Sequence, residues 1–521
     1  MNVEVPRSHA PSAPSFFSWP APDLRAWVAA LLFALAALGL FTRRATFPYF
    51  YHIDEPTKVE QVLSGQLNFH HPLLLLKSTR AALWATGAPR TGQAVVEMGR
   101  AVSATGAALA VGALVLLAWQ MRGPAAGVIA GGFLVFNPLL FELAHYMKED
   151  CVLLGGFMTC IAALGWYARK PSLAAAAVAG LAAGLAASGK YVGFAALALG
   201  LIPILASGRS FRGAWKAALL FTGIALAVFA LINRDIFLTP DNAASGLGSE
   251  FNKIQNASEE NGSLFQRKYL TGLINYVPPP LFLGTLFWFA LRWGNRRAQN
   301  AFTWVLGAFP IVLILAMSFC PKVKDRYVLP AMLILGVLGA AGLAEMARGK
   351  FRHAALAAWV LGVGAVLWPL PELWQRYAEF GSDDRRELIT WMREHLPADA
   401  TVAADARTCL TKALQSSEAA YRFPQTVWVA DKCAADLGSL EELRAWGVHY
   451  AAVSEQSYRY FLNPGKNGKA DPVRQQRARF YKELFSTGRL LWERPREPLA
   501  YIHPGLRLYE LPGTTGKTGG L

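Results

Sequence analysis

Apolar stretches long enough to cross a lipid bilayer recur along this chain from Leu24 to Leu370. A hydrocarbon core about 30 Å thick is spanned by roughly 20 helical residues, and about eleven stretches approach this length. They are Leu24–Phe41, Val102–Trp119, Pro124–Phe141, Cys151–Tyr167, Leu173–Ala187, Tyr191–Ala206, Ala214–Ile232, Tyr276–Trp293, Ala301–Phe319, Tyr327–Ala344 and Ala354–Leu370. Hydrophobic residues make up 54% of the chain and charged residues 17%, a balance too apolar for an ordinary soluble protein. The sequence therefore predicts a polytopic α-helical membrane protein.

The distribution of lysine and arginine predicts the orientation of these spans. Alternate short loops are basic, and the positive-inside rule places such loops in the cytoplasm. The basic residues are Arg122; Arg169 and Lys170; Arg209, Arg212 and Lys216; Arg292, Arg296 and Arg297; and Arg348, Lys350 and Arg352. We therefore expect residues 1–23 to form a cytoplasmic N-terminal tail. The loops 43–101, which contains amphipathic segments, and 233–275, together with everything after Leu370, are expected to be external.

The formal net charge of +16 follows largely from this topology signal, so it does not indicate a nucleic-acid partner. Residues 1–23 are rich in proline and serine, and no small-residue cleavage site follows the first apolar stretch. We therefore predict a retained first helix, not a cleaved signal peptide. The expected location is the inner, or plasma, membrane, with the N-terminus in the cytoplasm.

The character of the chain changes after Leu370, and residues 371–511 are predicted to form an external, periplasmic α/β domain. "DDRRELITWMREHL" has the pattern of an amphipathic helix, and "DATVAADAR", "QTVWVADKC" and "GVHYAAVS" contain short buried strands. Ser439 and Glu442 have the spacing of a capping box at the start of another helix. The glycine-rich residues 512–521 are expected to be disordered.

Two of the five cysteines, Cys409 and Cys433, belong to this C-terminal domain. If the domain is external, both thiols lie in an oxidising compartment. We therefore hypothesise a disulfide between them.

Ionisable side chains cluster where the predicted spans meet the external side. The clusters are Asp54, Glu55, Lys58 and Glu60, with His70 and His71 downstream; Glu142, His145, Lys148, Glu149 and Asp150; Lys190 in the turn "ASGKYVGF"; and Lys322, Lys324 and Arg326 in "FCPKVKDRYVLP". Charged groups near membrane depth are costly, so each cluster is a candidate functional site.

Structural roles are the alternative explanation for each cluster. Glu149 and Asp150 can complement the dipole of the helix that follows them, and Lys190 can extend its ammonium group to the interface. Lys322, Lys324 and Arg326 lie in a loop predicted to be external, where the positive-inside rule disfavours cations. A functional role is therefore favoured for these three residues. The adjacent histidine pair has no second ligand pair at a zinc spacing, so no zinc site is predicted.

Together the clusters suggest a division of labour in one external cavity. Carboxylates can accept a proton or hold a cation. Lysine and arginine can bind a phosphate and stabilise the charge that develops on it as it leaves. This combination fits an enzyme that uses a lipid-phosphate donor. Two other functions remain open: a transporter, which would place its charges near the membrane midplane between internal repeats, and a sensor or scaffold that acts through the C-terminal domain.

A series of motifs carries a family resemblance across residues 25–345. It runs from "DEP" at Asp54–Pro56 through "HHPLLLL", "NPLLFELAHYMKED" and "GLAASGKYVGF" to "KVKDRYVLPAM". In order and spacing the series resembles the GT-C glycosyltransferases that use polyprenyl-phosphate sugars, in the protein O-mannosyltransferase and aminoarabinose lipid A transferase branch. The resemblance implies a GT-C membrane domain over residues 24–370. It also implies inverting transfer of a sugar to an acceptor hydroxyl on the external face. The implied partners are the polyprenyl-phosphate sugar donor, a lipid, glycan or protein acceptor, and membrane lipids.

The resemblance also implies roles for individual residues. Asp54 is the implied base that deprotonates the acceptor hydroxyl, and Glu55 stands beside it in the catalytic pair. The implied phosphate ligands are Lys190, Lys322, Lys324 and Arg326. The implied substrate-orienting residues are Lys58, His71, Glu149, Asp150, Tyr191 and Tyr327. Glu55 and Asp150 could instead hold a divalent ion, Mg or Mn, which some relatives require.

Reporter fusions test the predicted topology. Fusions at Gly208 and Gly349, which lie in two basic loops, are expected to report a cytoplasmic location, and a fusion after Leu370 an external one. A cytoplasmic signal from the last fusion would contradict the external placement of the predicted active site as well.

Overall fold

The computed structural model describes residues 23–207, 210–261, 265, 267–294, 300–320, 324–349, 351–463 and 472–513. Lys322 lies outside these ranges. So do residues 1–22 of the predicted N-terminal tail and residues 514–521 of the predicted C-terminal tail.

The described part of the first 367 residues is built of helices. In chain order they are α1 (Leu24–Phe41), α2 (Glu55–Ser64), α3 (Leu74–Thr86), α4 (Gly92–Val135), α5 (Pro138–Ala144), α6 (Glu149–Arg169), α7 (Leu173–Gly189), α8 (Ala195–Leu205), α9 (Phe211–Ile232), α10 (Arg234–Leu238), α11 (Pro240–Asn261), α12 (Lys268–Tyr276), α13 (Pro279–Gly294), α14 (Ala301–Ser318), α15 (Leu329–Ala347) and α16 (Arg352–Leu367). Helices satisfy their own backbone hydrogen bonds, which a lipid environment requires.

Seven helical segments in the described part of the chain are long and apolar enough to cross a membrane, so this is a multi-pass membrane protein. The predicted spans all overlap helices, but their division differs. Val102–Trp119 and most of Pro124–Phe141 belong to α4, which is broken at Arg122 and Gly123. Gly123 has a φ of 72°, which favours glycine, and the following proline cannot donate a helix hydrogen bond.

Helices α4, α6 and α15 form the buried centre of the bundle, whereas most residues in α1 and α9 face outward. Small residues let the central helices approach closely. A Cβ on Gly155 in α6 would lie only 2.8 Å from the carbonyl oxygen of Gly106 in α4. Such contacts are typical of helix packing in membranes. They hold the N-terminus of α6, and with it the Lys148–Asp150 cluster, against α4.

The C-terminal domain is a five-stranded sheet with flanking helices. The helices are α17 (Leu370–Glu379), α18 (Asp384–His395), α19 (Lys412–Ser417), α20 (Leu440–Ala445), α21 (Glu455–Leu462) and α22 (Pro472–Thr487), and the strands are β1 (Thr401–Ala404), β2 (Thr426–Val429), β3 (Tyr450–Ser454), β4 (Arg489–Arg494) and β5 (Leu506–Glu510). The strand order is β2-β1-β3-β5-β4. Strands β1, β2 and β3 are parallel, and β5 is antiparallel to both β3 and β4.

The three predicted strands of this domain are confirmed as β1, β2 and β3, and the predicted amphipathic helix as α18. The capping box is confirmed as well, because Ser439 and Glu442 cap α20 reciprocally. The antiparallel pair of β4 and β5 was not predicted. Charged residues interrupt both strands. In addition, β4 lies half exposed at the sheet edge, so its sequence contains no buried apolar run from which a strand could be predicted.

The hypothesised disulfide is wrong, because Cys409 and Cys433 are both free thiols. The two residues lie in different apolar clusters, on opposite faces of the sheet. The Sγ atom of Cys409 lies 3.8 Å from the carbonyl oxygen of Phe50, in the loop between α1 and α2.

A buried carboxylate joins the carboxyl ends of two parallel strands. Asp405, which follows β1, accepts hydrogen bonds from the backbone N–H groups of Ala434 (2.7 Å) and Ser454 (2.8 Å) and from the Tyr481 hydroxyl (2.7 Å). Burial outweighs these hydrogen bonds and raises the pKa of Asp405 to about 6.

This raised pKa predicts a pH-dependent stability. The folded domain retains a proton on Asp405 that the unfolded chain loses near pH 4, so stability falls as the pH rises from about 4 to above 6. We expect this group to lower the free energy of unfolding by on the order of 1–3 kcal/mol over that range. Asp405→Asn should remove this part of the pH dependence, which thermal melting of both proteins at pH 4 and pH 7 measures. An equal pH dependence in the two proteins would contradict the prediction.

Candidate active site

The loop between α1 and α2 places Asp54 at the N-terminus of α2. Asp54 occupies the N-cap position of the helix, but its side chain accepts no capping hydrogen bond. Its carboxylate instead pairs with the ammonium of Lys148, at 3.0 Å between Oδ2 and Nζ. The Asp54 side chain remains 42% exposed, whereas that of Lys148 is 4% exposed. Asp54 is therefore an accessible carboxylate backed by a buried cation.

Glu55, the next residue, is fully buried and points into the protein. Arg100 of α4 binds it in a bidentate manner, at 3.0 Å from Nε to Oε1 and 2.6 Å from Nη2 to Oε2. The backbone N–H of Met147 also donates to Oε1 (2.9 Å). The remaining nitrogen of Arg100, Nη1, donates to the carbonyl oxygens of Ala45 (2.7 Å) and Phe47 (2.5 Å). These bonds tie the loop, α2 and α4 together.

The N-terminus of α6 contributes the second carboxylate pair. Glu149 accepts a 2.7 Å hydrogen bond from Lys58 of α2, and His71 lies 4.0 Å from the same oxygen. Asp150 pairs with Lys190, at 2.9 Å from Oδ1 to Nζ. Its other oxygen, Oδ2, lies 3.6 Å from Nε of Arg326, which is long for a hydrogen bond.

The turn that follows Lys324 presents Arg326 beside an aromatic ring. The guanidinium of Arg326 lies 5.5 Å from the centre of the Tyr327 ring, and the Lys190 ammonium lies 5.7 Å from the same ring. The Nε atom of Arg326 is buried and has no hydrogen-bond partner among the described residues. Both the N–H and the carbonyl of Lys324 are bonded to the Tyr269 hydroxyl, which fixes the backbone of the turn.

Electrostatics keep Asp54 ionised. Burial alone would raise its pKa, but the charges of Lys148 and Lys58 outweigh this effect and hold the pKa well below its usual range. Burial and the charge of Lys148 lower the pKa of His52, so its imidazole is neutral at physiological pH. In this state the Nδ1 atom of His52 accepts a hydrogen bond from the Asp54 backbone N–H at 3.2 Å.

The C-terminal domain packs on this loop. The Tyr501 ring lies 4.3 Å from the His52 ring, which also contacts Tyr146 at 4.5 Å between ring centres. The Tyr51 hydroxyl donates to Oδ2 of Asp383 at 2.9 Å. The segment from Tyr51 to Asp54 therefore lies between the membrane helices and the C-terminal domain.

Most of the residues predicted from the sequence meet here. They form three neighbouring groups: Asp54 with Lys148; Lys58 and His71 around Glu149; and Asp150 with Lys190 and Arg326, which both lie beside Tyr327. Charges act across these groups, since Lys58 acts on Asp54 and Lys148 acts on Asp150. Glu55 follows Asp54 in the sequence, but its side chain is bound to Arg100 in the protein interior. Tyr191 donates to the carbonyl oxygen of Phe69 at 3.1 Å, away from the carboxylates. Lys322 lies outside the described residues.

No role was predicted for Lys148, His52 or Tyr501. Lys148 was visible in the acidic cluster as the one cation. Its pairing with Asp54 could not be predicted from a local sequence pattern, because the two residues are 94 positions apart.

The divalent ion considered for Glu55 and Asp150 has no shared site in this arrangement. Each carboxylate is bound to its own cations. Among the described residues no group of three His, Cys, Asp or Glu side chains is arranged to hold a metal ion.

The set has more cations than carboxylates. Lys148 pairs with Asp54 and Lys58 with Glu149, whereas Lys190 and Arg326 share Asp150. An additional anion would be attracted to the side of the site where Arg326 lies, because charge-assisted hydrogen bonds to arginine are strong.

The chain was compared with known proteins. No family model and no curated protein matches it. Among solved structures, ArnT from Cupriavidus metallidurans bound to undecaprenyl phosphate aligns with a TM-score of 0.52 at 16% identity, covering 94% of this chain and 99% of that one. The Archaeoglobus fulgidus oligosaccharyltransferase aligns with a TM-score of 0.51 at 13% identity, covering 93% of this chain and 73% of that one.

These neighbours are GT-C glycosyltransferases. This chain has the GT-C fold. The fold predicted from the sequence is thereby confirmed. The alignment with ArnT covers so much of the chain that the GT-C likeness extends beyond the membrane helices into the C-terminal domain.

The buried pair of Glu55 and Arg100 predicts a strong stability effect. Removing one partner leaves an uncompensated buried charge, so Arg100→Leu and Glu55→Leu should each lower the free energy of unfolding by about 3–5 kcal/mol. The double variant should lose less than the sum of the two single losses. Thermal melting in detergent measures this, and Arg90→Leu, at an exposed arginine, is the matched control. Additive losses in the double variant would show that the two side chains do not act as a pair.

Proposed function

We propose that the protein is a membrane glycosyltransferase. It transfers a sugar from a polyprenyl-phosphate donor to a hydroxyl group of a lipid, glycan or protein acceptor. The observation that carries the proposal is the combination of an accessible carboxylate, Asp54, with a surplus of cations around Asp150, in a chain that has the GT-C fold. The binding of undecaprenyl phosphate by one structural neighbour supports the proposed donor class.

Asp54 is the proposed base. It accepts the proton of the acceptor hydroxyl while the oxygen attacks the anomeric carbon and the phosphate leaves from the opposite side, which inverts the configuration. A carboxylate with a depressed pKa is a weak base. We propose that Lys148 shifts towards the anionic donor when it binds, which would weaken its pairing with Asp54 and raise the basicity of that carboxylate.

The phosphate is the proposed leaving group, and Arg326 is its first proposed ligand. The planar guanidinium can bind two phosphate oxygens, and its Nε atom lacks a hydrogen bond among the described residues. Lys190 is the second proposed ligand, with Lys322 and Lys324 as further candidates from the same loop. No general acid is needed, because cations stabilise the charge that develops on the leaving phosphate.

The remaining polar residues are proposed to orient the substrates. Lys58, His71, Glu149, Asp150, Tyr191 and Tyr327 border the reaction site or its supporting loops. Glu55 is proposed as a positioning residue for Asp54, since both of its oxygens are occupied by buried donors. A catalytic Mg or Mn ion is not part of the proposed mechanism.

The proposed location of the site is the external face of the plasma membrane. Two of the basic loops predicted to be cytoplasmic meet one another: Arg122 pairs with Glu345 at 2.6 Å, and Arg348 donates to the Arg122 carbonyl oxygen at 2.8 Å. The positive-inside rule makes that end cytoplasmic. A transporter is the alternative function, but the charges of the Asp54 cluster gather at helix ends and in loops, not at broken helices near the midplane.

Asp54→Asn is the most direct test of this function. The amide keeps the shape of the side chain but cannot accept a proton, so the turnover should fall about a hundred- to ten-thousand-fold. Binding of the lipid donor should change much less. Transfer is followed by mass spectrometry of cell-envelope glycans and glycoproteins from cells that carry each variant in place of the wild-type protein.

Three further variants are needed to interpret the effect of Asp54→Asn. Glu60→Gln, at an exposed carboxylate on the same helix, is the matched control and should remain active. Arg326→Ala should weaken donor binding and also slow transfer. Glu55→Gln tests whether the neighbouring carboxylate is the base, with its folding checked by melting. Full activity of both Asp54→Asn and Glu55→Gln would refute the proposed mechanism.

A further inference from the structure

A buried arginine of the C-terminal domain connects that domain to the loop of Asp54. Arg385 is 1% exposed, and its guanidinium lies 3.8 Å from the centre of the Tyr51 ring in the loop. Its Nη2 atom donates to the carbonyl oxygens of Arg407 (3.0 Å) and Tyr501 (3.2 Å), and Nη1 to that of Ile502 (2.9 Å). One side chain therefore holds two separate segments of the domain beside the candidate active site.

These two segments carry Arg407 and Tyr501. Tyr501 packs on His52, two positions before Asp54. Burial and the charge of Asp54 raise the pKa of Tyr501, whereas the charges of Arg326 and Arg407 lower it. Asp54 also acts on Arg407, whose pKa is lowered mainly by burial.

Arg407 has no ion-pair partner in the part of the chain that the structure describes. Within the described residues its guanidinium makes no ion pair and no hydrogen bond, although the residue is half buried. Nearby arginines of the same domain are paired: Arg376 with Glu142, Arg386 with Glu418 and Arg494 with Glu387. Keeping a cation partly desolvated without a partner costs free energy, so its retention beside other cations points to an anionic ligand.

We propose that Arg407 and Tyr501 form an anion-binding subsite through which the C-terminal domain takes part in the reaction, with Arg385 as the residue that positions both. The subsite rests on the proposed function and extends it, since it assigns substrate contacts to a domain outside the membrane. The ligand is a phosphate group. It comes either from the polyprenyl-phosphate donor, shared with Arg326, or from a phosphorylated acceptor that approaches Asp54.

The surrounding charges favour a phosphate as the ligand. Arg407 adds a cation to a set that already has more cations than carboxylates. Tyr501, whose carbonyl oxygen shares the Nη2 atom of Arg385 with that of Arg407, adds a neutral hydroxyl donor. A phosphate ester presents several acceptor oxygens and accepts charge-assisted hydrogen bonds from arginine. The loop that carries Cys409 packs on Phe50, so the position of Arg407 relative to Asp54 is set by contacts on both sides.

The experiment compares the full-length wild-type protein with Arg407→Ala, Arg407→Gln and Arg407→Lys. Two readouts are taken: equilibrium binding of undecaprenyl phosphate to the purified protein, and the envelope glycan product in cells. Arg422→Ala, at an exposed arginine of the same domain, is the matched control. Because the Arg407 guanidinium makes no bond to the described protein, the variants should melt like the wild type. Loss of one charge-assisted hydrogen bond should cost about ten- to a hundredfold.

Each outcome either supports or refutes the proposed subsite. If Arg407→Ala and Arg407→Gln weaken undecaprenyl phosphate binding by that factor, with partial recovery in Arg407→Lys, the subsite binds the donor phosphate. If binding is unchanged but the product falls by that factor, the subsite binds an anion on the acceptor. If neither changes, the subsite is refuted. Failure of the wild-type protein to bind undecaprenyl phosphate, with envelope glycans independent of the protein, would refute the proposed function instead.

Discussion

The bidentate ion pair of Arg100 and Glu55 is the interaction on which the candidate active site depends. It joins the central helix α4 to the start of α2, and its remaining donors hold the carbonyl oxygens of Ala45 and Phe47. Asp54 is the residue before Glu55, so its direction follows from that of its buried neighbour. A buried ion pair often stabilises a protein little beyond an apolar substitute, because desolvation of both charges is costly. Its contribution here is geometric: one adjacent carboxylate is held inside while the other faces the site.

The C-terminal domain confines the same loop from the opposite side. Tyr51 bonds to Asp383 and stacks under Arg385, and His52 lies between Tyr146 and Tyr501. The Phe380 ring stacks on His145 at 4.2 Å, next to the acidic cluster. Connecting loops are usually mobile, and packing between the membrane helices and the C-terminal domain limits that motion. The domain therefore acts on the site through rigid contacts as well as through the charges it contributes.

Sequence reasoning found most of the polar groups of this site, because charged residues among apolar spans are conspicuous. It also predicted that Asp54, Asp150, Lys190 and Arg326 belong together, and the structure brings them into one network. The local pattern did not separate Asp54 from Glu55, since the two residues are adjacent, and the choice of Asp54 as the base came from the family resemblance. The distinction depends on which carboxylate meets Arg100, and that contact spans 45 positions. The hypothesised disulfide failed for a similar reason. A shared compartment would make a disulfide between Cys409 and Cys433 chemically possible, but it does not determine on which face of the sheet each thiol lies.

The amino-acid sequence by itself determined the class of protein, the helical spans, the alternation of basic loops and the first three strands of the C-terminal sheet. These features depend on local periodicity and composition, which hydrogen bonding and lipid solvation translate directly into helices and strands. The tertiary structure alone decided that Lys148 is the partner of Asp54, that Arg100 neutralises Glu55, and that Tyr501 packs on His52. Each of these contacts joins residues far apart in the chain. Such pairings are set by helix packing and domain docking, whose energies are spread over many apolar contacts that no single motif records.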